Sequence, residues 1–285
     1  MTVRPLRVYT ATIVFMITTQ EELKDSPREE ELSSVKENKA VFTENGLSAE
    51  EVLLLQEMAE AGVLYGLTKR KTHPKMRPWI FTTRSGIEII NLENTIKELN
   101  KAMSLMKSIS ATGKEIIIVG ISPSAKSIAR ELGTELNQPF VTERWLGGTL
   151  TNFKVIETRI KYYNKLIADK ESGALNKYIK KERILLEKKL EKMKIFFEGM
   201  ANMTTLPGAV FILDIQANKT AAREARAMGI PIIALINTDT DPGVADYPIP
   251  ANNRLGSSIR WITNYLKDGL QKVSVIAPLP AKKEQ

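Results

Sequence analysis

Glu143-Arg144-Trp145-Leu146-Gly147-Gly148-Thr149-Leu150-Thr151-Asn152 separates two kinds of sequence in this chain. Before it, short apolar runs alternate with helical patterns. After it, Phe153 to Glu198 is long, basic and heptad-like. The run itself sets an aromatic beside an arginine, then paired glycines, then a polar exit, which is not the pattern of a core strand. Gly147 and Gly148 together allow a positive φ or a close approach of backbone to another surface, so we read them as a fixed turn. A compact body that pauses at such a turn and then sends out a charged helical arm suits a large ligand better than a small one.

Downstream of the turn, Ile156, Ile160, Tyr163 and Ile167 recur at four-three-four spacing. Ile179, Leu186, Leu190, Met193 and Phe197 nearly repeat it, with Arg183 at the one polar seam position and Ser172-Gly173 between the two stretches. This spacing predicts an inserted antiparallel helical hairpin over 153–202, a two-stranded coiled coil. From Lys154 to Glu198 there are 13 basic and 7 acidic side chains, so the arm is cationic. An arm that binds nothing would order a long segment for little packing in return.

On either side of the turn and arm lies an α/β alternation. Ile116 to Gly120 is continuously apolar, as a parallel strand buried on both faces requires. Strands are expected at Phe140–Arg144, Ala209–Asp214, Pro231–Ile236 and Tyr247–Ile249, with a short one at Ile87–Ile90. Helices are expected at Asn94–Ile109, Ser124–Leu136, Lys219–Met228 and Ser257–Leu270. Ser48-Ala49-Glu50-Glu51 reads as a capping box, and Gly62 stops the helix it opens. Right-handed crossovers then give an open parallel sheet with helices on both faces. The expected α/β domain is 47–152 and 203–272, with an acidic flexible leader at 1–46 and a tail at 273–285.

Charge is distributed unevenly. The 285 residues carry a net charge of +8, yet residues 20–60 hold 12 acids and 4 bases, so the remaining body is strongly basic. A basic body points first to nucleic acid. Lys69-Arg70-Lys71-Thr72-His73-Pro74-Lys75-Met76-Arg77-Pro78-Trp79 places five bases in one run without an acid. Its two prolines predict an extended loop.

The absence of cysteine excludes disulfides, thiolate metal sites and cysteine nucleophiles, and the single histidine, His73, disfavours a zinc site or a Ser-His-Asp triad. No apolar run reaches the roughly 20 residues of a spanning helix. Met1 to Thr19 reads either as a weak leader or as an extended start with Met16 as the alternative initiator. Enzymatic chemistry has two footholds: Ser124, at a helix start where an α/β sheet binds phosphates, and the carboxylates Asp214, Asp239 and Asp241 at strand ends. Together they define the runner-up reading, a phosphosugar- or nucleotide-binding α/β enzyme. Against it, Val119-Gly120-Ile121-Ser122-Pro123-Ser124 has one glycine where a dinucleotide loop needs several, and Asp-Pro clusters routinely form turns.

Several ordered motifs resemble those of the small ribosomal subunit protein 2 family. They are Gly62-Val63-Leu64-Tyr65-Gly66 with Pro74-Lys75-Met76-Arg77-Pro78-Trp79-Ile80-Phe81, Ile89-Ile90-Asn91-Leu92-Glu93-Asn94-Thr95, Arg144 to Asn152, Leu206-Pro207-Gly208-Ala209, Glu224-Ala225, Asn237 to Pro242 and Ile249 to Asn253. The arm marks the bacterial or organellar branch. The resemblance implies a flavodoxin-like or Rossmann-like domain with a coiled-coil arm, a structural role in the small ribosomal subunit, no enzymatic activity and no cofactor. It implies small-subunit ribosomal RNA as partner, neighbouring ribosomal proteins including the large messenger-binding first protein, no membrane, and residence in cytoplasmic bacterial ribosomes or, alternatively, organellar ones. Where bacterial members usually carry histidines this chain has Leu64 and Leu67, so no metal role is carried over.

The expected RNA contacts are the loop residues Lys69, Arg70, Lys71, His73, Lys75 and Arg77, then Arg144, then Lys177, Lys180, Lys181, Arg183, Lys188 and Lys189 of the arm, each cation neutralising phosphate. Trp79 and Trp145 are candidates for stacking on an unpaired base.

Overall fold

The computed structural model describes residues 49–274. The expected leader (1–46), the alternative start Met16, the capping residue Ser48 and most of the expected tail (273–285) lie outside the described residues. Helix α1 (Ala49–Glu60) ends at Gly62, whose φ of +77° lets Val63 N–H return to the Met58 carbonyl at 3.0 Å. A left-handed residue just past a helix is the glycine C-terminal stop.

A small antiparallel sheet follows, in the order β1-β3-β2: β1 (Tyr65–Thr68), β2 (Ile80–Arg84) and β3 (Ile87–Ile90). Of these, only β3 is expected from the sequence. Strands β2 and β3 are joined at Ser85 and Gly86, with φ of 47° and 79°, the positive-φ pair that a tight hairpin turn demands. The basic run between β1 and β2 is not a plain extended loop. It forms two 3-10 turns, Lys69–Lys71 and Pro74–Trp79, the second starting with proline at its first position.

Helix α2 (Leu92–Ala111) is capped by Asn91, whose side chain accepts the Glu93 N–H at 3.0 Å. The main elements then alternate: β4 (Ile116–Val119), α3 (Pro123–Glu135), β5 (Phe140–Val141), α4 (Phe153–Glu171), α5 (Lys180–Phe197), β6 (Ala209–Ile212), α6 (Lys219–Ala227), β7 (Ile232–Ile236), β8 (Tyr247–Pro250) and α7 (Gly256–Ser274). Five parallel strands pair in the order β5-β4-β6-β7-β8. This is the flavodoxin-like winding, whose order reverses between β4 and β6.

Two cores flank the sheet because successive strand residues face opposite sides. Ile116, Ile118, Phe211, Ile233, Leu235 and Ile249 pack against α1, α2, α3 and α7. Ile117, Val119, Val210, Ile212, Ile232 and Ile236 pack against α6, the arm helices and the turn carrying Trp145. Each such aliphatic, fully buried, contributes roughly 1.5–3 kcal/mol. Strand β5 is shorter than the expected Phe140–Arg144. It leaves the ladder after Val141 because Glu143 pairs with Lys126 at 2.7 Å and Trp145 turns into the second core.

The outer strand β8 carries Pro248 and Pro250. Ala251 N–H reaches inward to the Ile236 carbonyl at 2.9 Å, so by alternation the two prolines face outward, where they have no N–H to offer. The Pro250 carbonyl is taken by the Thr95 hydroxyl of α2 at 2.7 Å.

The arm consists of α4 and α5 joined through a 3-10 turn at Ala174–Lys177. Tyr162 meets Lys189, and Arg159 lines the same hollow as Met193, so α5 returns along α4. Most of the expected seam is covered: Ile156, Ile160, Tyr163, Leu190 and Phe197 are buried, and Leu186 and Met193 are packed against them, but three positions depart from the heptad expectation. Leu166 is buried and Ile167 only partly so, Leu175 from the connecting turn is buried, and Ile179 is 67% exposed as the residue preceding α5. Ile156, Ile160 and Tyr163 join the core of the body, so the sheet as well as the partner helix sets which positions are covered.

Candidate nucleic-acid interface

The turn is fastened by one carboxylate. Glu224 on α6, 8% exposed, accepts the Trp145 Nε1–H at 3.2 Å and the Gly148 N–H at 2.9 Å on Oε1. Its Oε2 accepts the Leu150 N–H at 3.0 Å and, at 3.4 Å each, the Thr151 N–H and hydroxyl. Converging donors satisfy a buried carboxylate and fix the backbone that supplies them. The two glycines differ: Gly148 has φ +90°, whereas nothing stands within 4 Å of a Cβ placed on Gly147. The turn runs directly into α4, so the arm leaves the body from a clamped base. Glu224 is not among the expected site residues. Its sequence signal is a lone acid on the small-residue run Ala221-Ala222-Arg223-Glu224-Ala225, a helix that packs closely against the sheet.

The basic loop is fastened at several points. His73 N–H donates to the Thr238 carbonyl at 2.8 Å, and Leu67 N–H donates to the Thr238 hydroxyl at 2.9 Å. Buried Glu88 accepts the hydroxyls of Thr83 at 2.7 Å and Thr72 at 3.4 Å. Met76, fully buried, plugs into the same core as Trp145, Ile156 and Phe197. Loop, turn and arm root therefore share one face of the sheet.

Lys69, Arg70, Lys71 and Arg77 are exposed, and among the described residues no carboxylate lies within ion-pair distance of any of them. Lys75 instead pairs with Asp241 at 2.7 Å. That hydrogen bond, with one from the Gly243 N–H, holds the Asp241 carboxyl below the usual carboxylate range. His73 caps the second 3-10 turn, accepting the Lys75 N–H at 3.3 Å through Nδ1.

Arg144 is exposed beside the clamp. On the arm, Lys177, Lys180, Lys181 and Lys188 are exposed, Lys189 lies over the Tyr162 ring at 4.5 Å, and half-buried Arg183 pairs with Glu187 at 3.8 Å. The tryptophans are placed differently from the stacking expectation. Trp145 is 6% exposed with its N–H on Glu224, so it has no open face for a base. Trp79 is half-buried against the second core.

The strand-end carboxylates form turns rather than a reaction centre. Asp214 accepts the N–H groups of Gln216 at 3.1 Å and Ala217 at 3.4 Å, and Asn253 Nδ2–H at 3.2 Å. Burial pushes its pKa up, against those hydrogen bonds. Asp241 caps a 3-10 turn through Gly243, and Asp239 accepts the Thr240 hydroxyl at 3.0 Å. Ser124 lies in the first turn of α3 behind Pro123, which has no N–H. Among the described residues no cluster of three metal-ligating side chains occurs, and no helix is long and apolar enough to cross a membrane.

Residues 58–272 match the family described as Ribosomal protein S2. The chain is 39% identical over 219 residues to the small ribosomal subunit protein uS2 of Coprothermobacter proteolyticus, covering 77% of this chain and 82% of that protein. It is 41% identical over 214 residues to uS2 of Chlorobium luteolum, covering 75% and 85%. It is 39% identical over 220 residues to uS2 of a Roseiflexus species, covering 77% and 84%.

Proposed function

This chain belongs to the ribosomal protein S2 family, and on that footing we propose that it is a structural, non-catalytic component of the small ribosomal subunit that grips ribosomal RNA by its phosphates. The observation that carries the phosphate reading is the loop from Lys69 to Arg77: four exposed cations without carboxylate partners, on a backbone tied down through Thr238, Glu88 and Met76. Cations held on a rigid base bind a polyanion with less ordering cost than mobile ones. Each phosphate contact releases counterions, so affinity falls steeply with salt. Arg144 and the arm residues Lys177, Lys180, Lys181, Arg183, Lys188 and Lys189 extend the cationic surface from the clamped turn, with His73 at the loop's centre.

The ribosome that this chain serves is bacterial in our reading, with an organellar ribosome as the alternative. Its neighbours are other small-subunit proteins, among them the large messenger-binding first protein. The enzyme reading has no support in the site, where every carboxylate named above already serves a turn, an ion pair or, for Glu88, the hydroxyls that fasten the loop.

The test is affinity for small-subunit ribosomal RNA across a salt series, with Lys69, Arg70, Lys71 and Arg77 changed together to glutamine. The expected result is weaker binding and a shallower salt slope. An unchanged slope with full affinity would overturn the phosphate grip.

A further inference from the structure

Between α4 and α5, where the arm meets the clamped turn, lies a hollow of about 430 Å³ lined by Leu146, Tyr162, Met193, Phe196 and Phe197. Its remaining lining residues are Arg159, Lys189 and Lys192, and it has no acidic one. This volume falls within the range of small-molecule pockets, about 300–1,000 Å³. We propose that the hollow is a slot for one unpaired RNA base, which stacks on Tyr162 while Arg159, Lys189 and Lys192 take the phosphates on either side. This inference rests on the RNA-binding reading and deepens it: it assigns part of the arm to exposed bases, whereas the loop cations engage backbone alone.

Three observations favour this occupant. First, Tyr162 is 37% exposed although its neighbour Tyr163 is buried. An aromatic at the mouth of an apolar hollow is the platform on which single-stranded bases stack. Second, that ring already attracts a cation: Lys189 Nζ lies 4.5 Å from its centroid and donates to its hydroxyl at 3.1 Å. A base entering the slot replaces the ammonium on the ring face and frees it for a phosphate. Third, the rim charge is uniform. Among the described residues Arg159, Lys189 and Lys192 have no carboxylate within ion-pair distance, while nearby Lys161 and Lys194 are paired with Glu157 and Glu198. An apolar floor with an all-cationic rim complements a flat ring carried on a phosphate chain.

The experiment uses the full chain and two probes: a single-stranded oligoribonucleotide carrying one 2-aminopurine, and the same sequence annealed to its complement. Stacking quenches the fluorescence of 2-aminopurine. The expected result is quenching with the single strand and little with the duplex. Tyr162→Leu, which removes no charge, weakens single-strand binding about fivefold or more at every salt concentration and abolishes the quench. Lys192→Gln reduces the salt slope and keeps the quench, and thermal melting of both variants establishes that they fold. Quenching that survives Tyr162→Leu overturns the slot, as does wild-type binding of small-subunit ribosomal RNA without any quench, and either result leaves the phosphate grip standing. Failure of the wild-type chain to bind any RNA removes both readings together. Nuclease-resistant binding of a purified small-subunit protein that is lost with Tyr162→Leu assigns the hollow to a protein and overturns the base slot.

Discussion

Glu224 receives the Gly148 N–H at 2.9 Å across 76 positions of sequence, so a helix of the body dictates the conformation of the turn from which the arm departs. Glu224→Ala leaves several donors around Trp145, Gly148 and Leu150 without an acceptor. At roughly 1–3 kcal/mol for each buried unsatisfied group, with partial relief from water, we expect about 3 kcal/mol or more of destabilisation in urea unfolding. Glu224→Gln keeps one acceptor oxygen but loses the charge, and should cost about 1–2 kcal/mol. Equal stability of the alanine variant and wild type would show that the clamp is incidental.

The paired glycines separate under substitution. Gly148 sits at φ +90°, where an L side chain is strained, so Gly148→Ala should cost about 1 kcal/mol or more. Gly147 has open space around it, so Gly147→Ala should fall within about 0.5 kcal/mol of wild type. Paired thermal melts of the two variants check both numbers.

At Gly66 the constraint is close packing rather than dihedral. A Cβ there would lie 2.6 Å from Thr238 Cγ2 and 2.8 Å from the Glu88 carbonyl oxygen, the two residues that fasten the basic loop. Gly66→Ala should therefore destabilise the fold by about 1–3 kcal/mol and also weaken ribosomal RNA binding. A variant that loses stability without losing affinity would show that the loop's fastening is irrelevant to its grip.

Loop cations should not contribute equally to the salt slope. Each phosphate that a variant no longer neutralises lowers the slope by roughly 0.7 to 0.9. Lys69 has no carboxylate partner among the described residues, whereas Lys75 Nζ is held by Asp241 at 2.7 Å. Lys69→Gln should therefore lower the slope by more than Lys75→Gln does. Filter binding of small-subunit ribosomal RNA over a series of salt concentrations compares the two, and equal slopes would contradict the assignment.

Two aspartates should respond to acid in opposite senses. The Lys75 hydrogen bond holds Asp241 below its ordinary pKa, so its stabilising contribution is full above the unfolded value and disappears as pH falls through the folded one. The wild-type advantage over Asp241→Asn should be small at pH 7, as befits an exposed pair, and vanish in acid. Burial holds Asp214 above its ordinary pKa, so its charged form costs stability above that value, and the cost fades as pH falls. Asp214→Asn should therefore compare better with wild type at neutral pH than in acid. Melting temperatures from pH 3 to 7 test both signs.

The strands buried on both faces are legible in the sequence because their signal is local: four or five consecutive aliphatics at Ile116 and Ile232 permit little else. The helices between them follow from periodicity and caps. Strands β1 and β2 are not legible, since Tyr65–Thr68 and Ile80–Arg84 are short and half-exposed and acquire strand character only by pairing with β3. Ser85-Gly86 is the one local cue. The arm's helices and most of its seam are readable, and the departures are Leu166 and Leu175, which are buried, and Ile179, which is exposed. In the site, charge marks the basic loop, whereas the Glu224 clamp joins groups more than seventy residues apart, which no local pattern encodes. Trp145 illustrates the same limit: composition cannot distinguish an indole kept for a ligand from one consumed by a buried carboxylate.

The prolines of β8 bear on the life of this chain before it meets its RNA. A protein that waits as a free molecule for a partner is exposed to its own kind, and an unpaired strand margin invites copies to zip together. With Pro248 and Pro250 along that margin and Thr95 occupying the carbonyl of the second, another strand finds no ladder to continue. The β8 margin is thereby closed to copies of the chain while they await assembly.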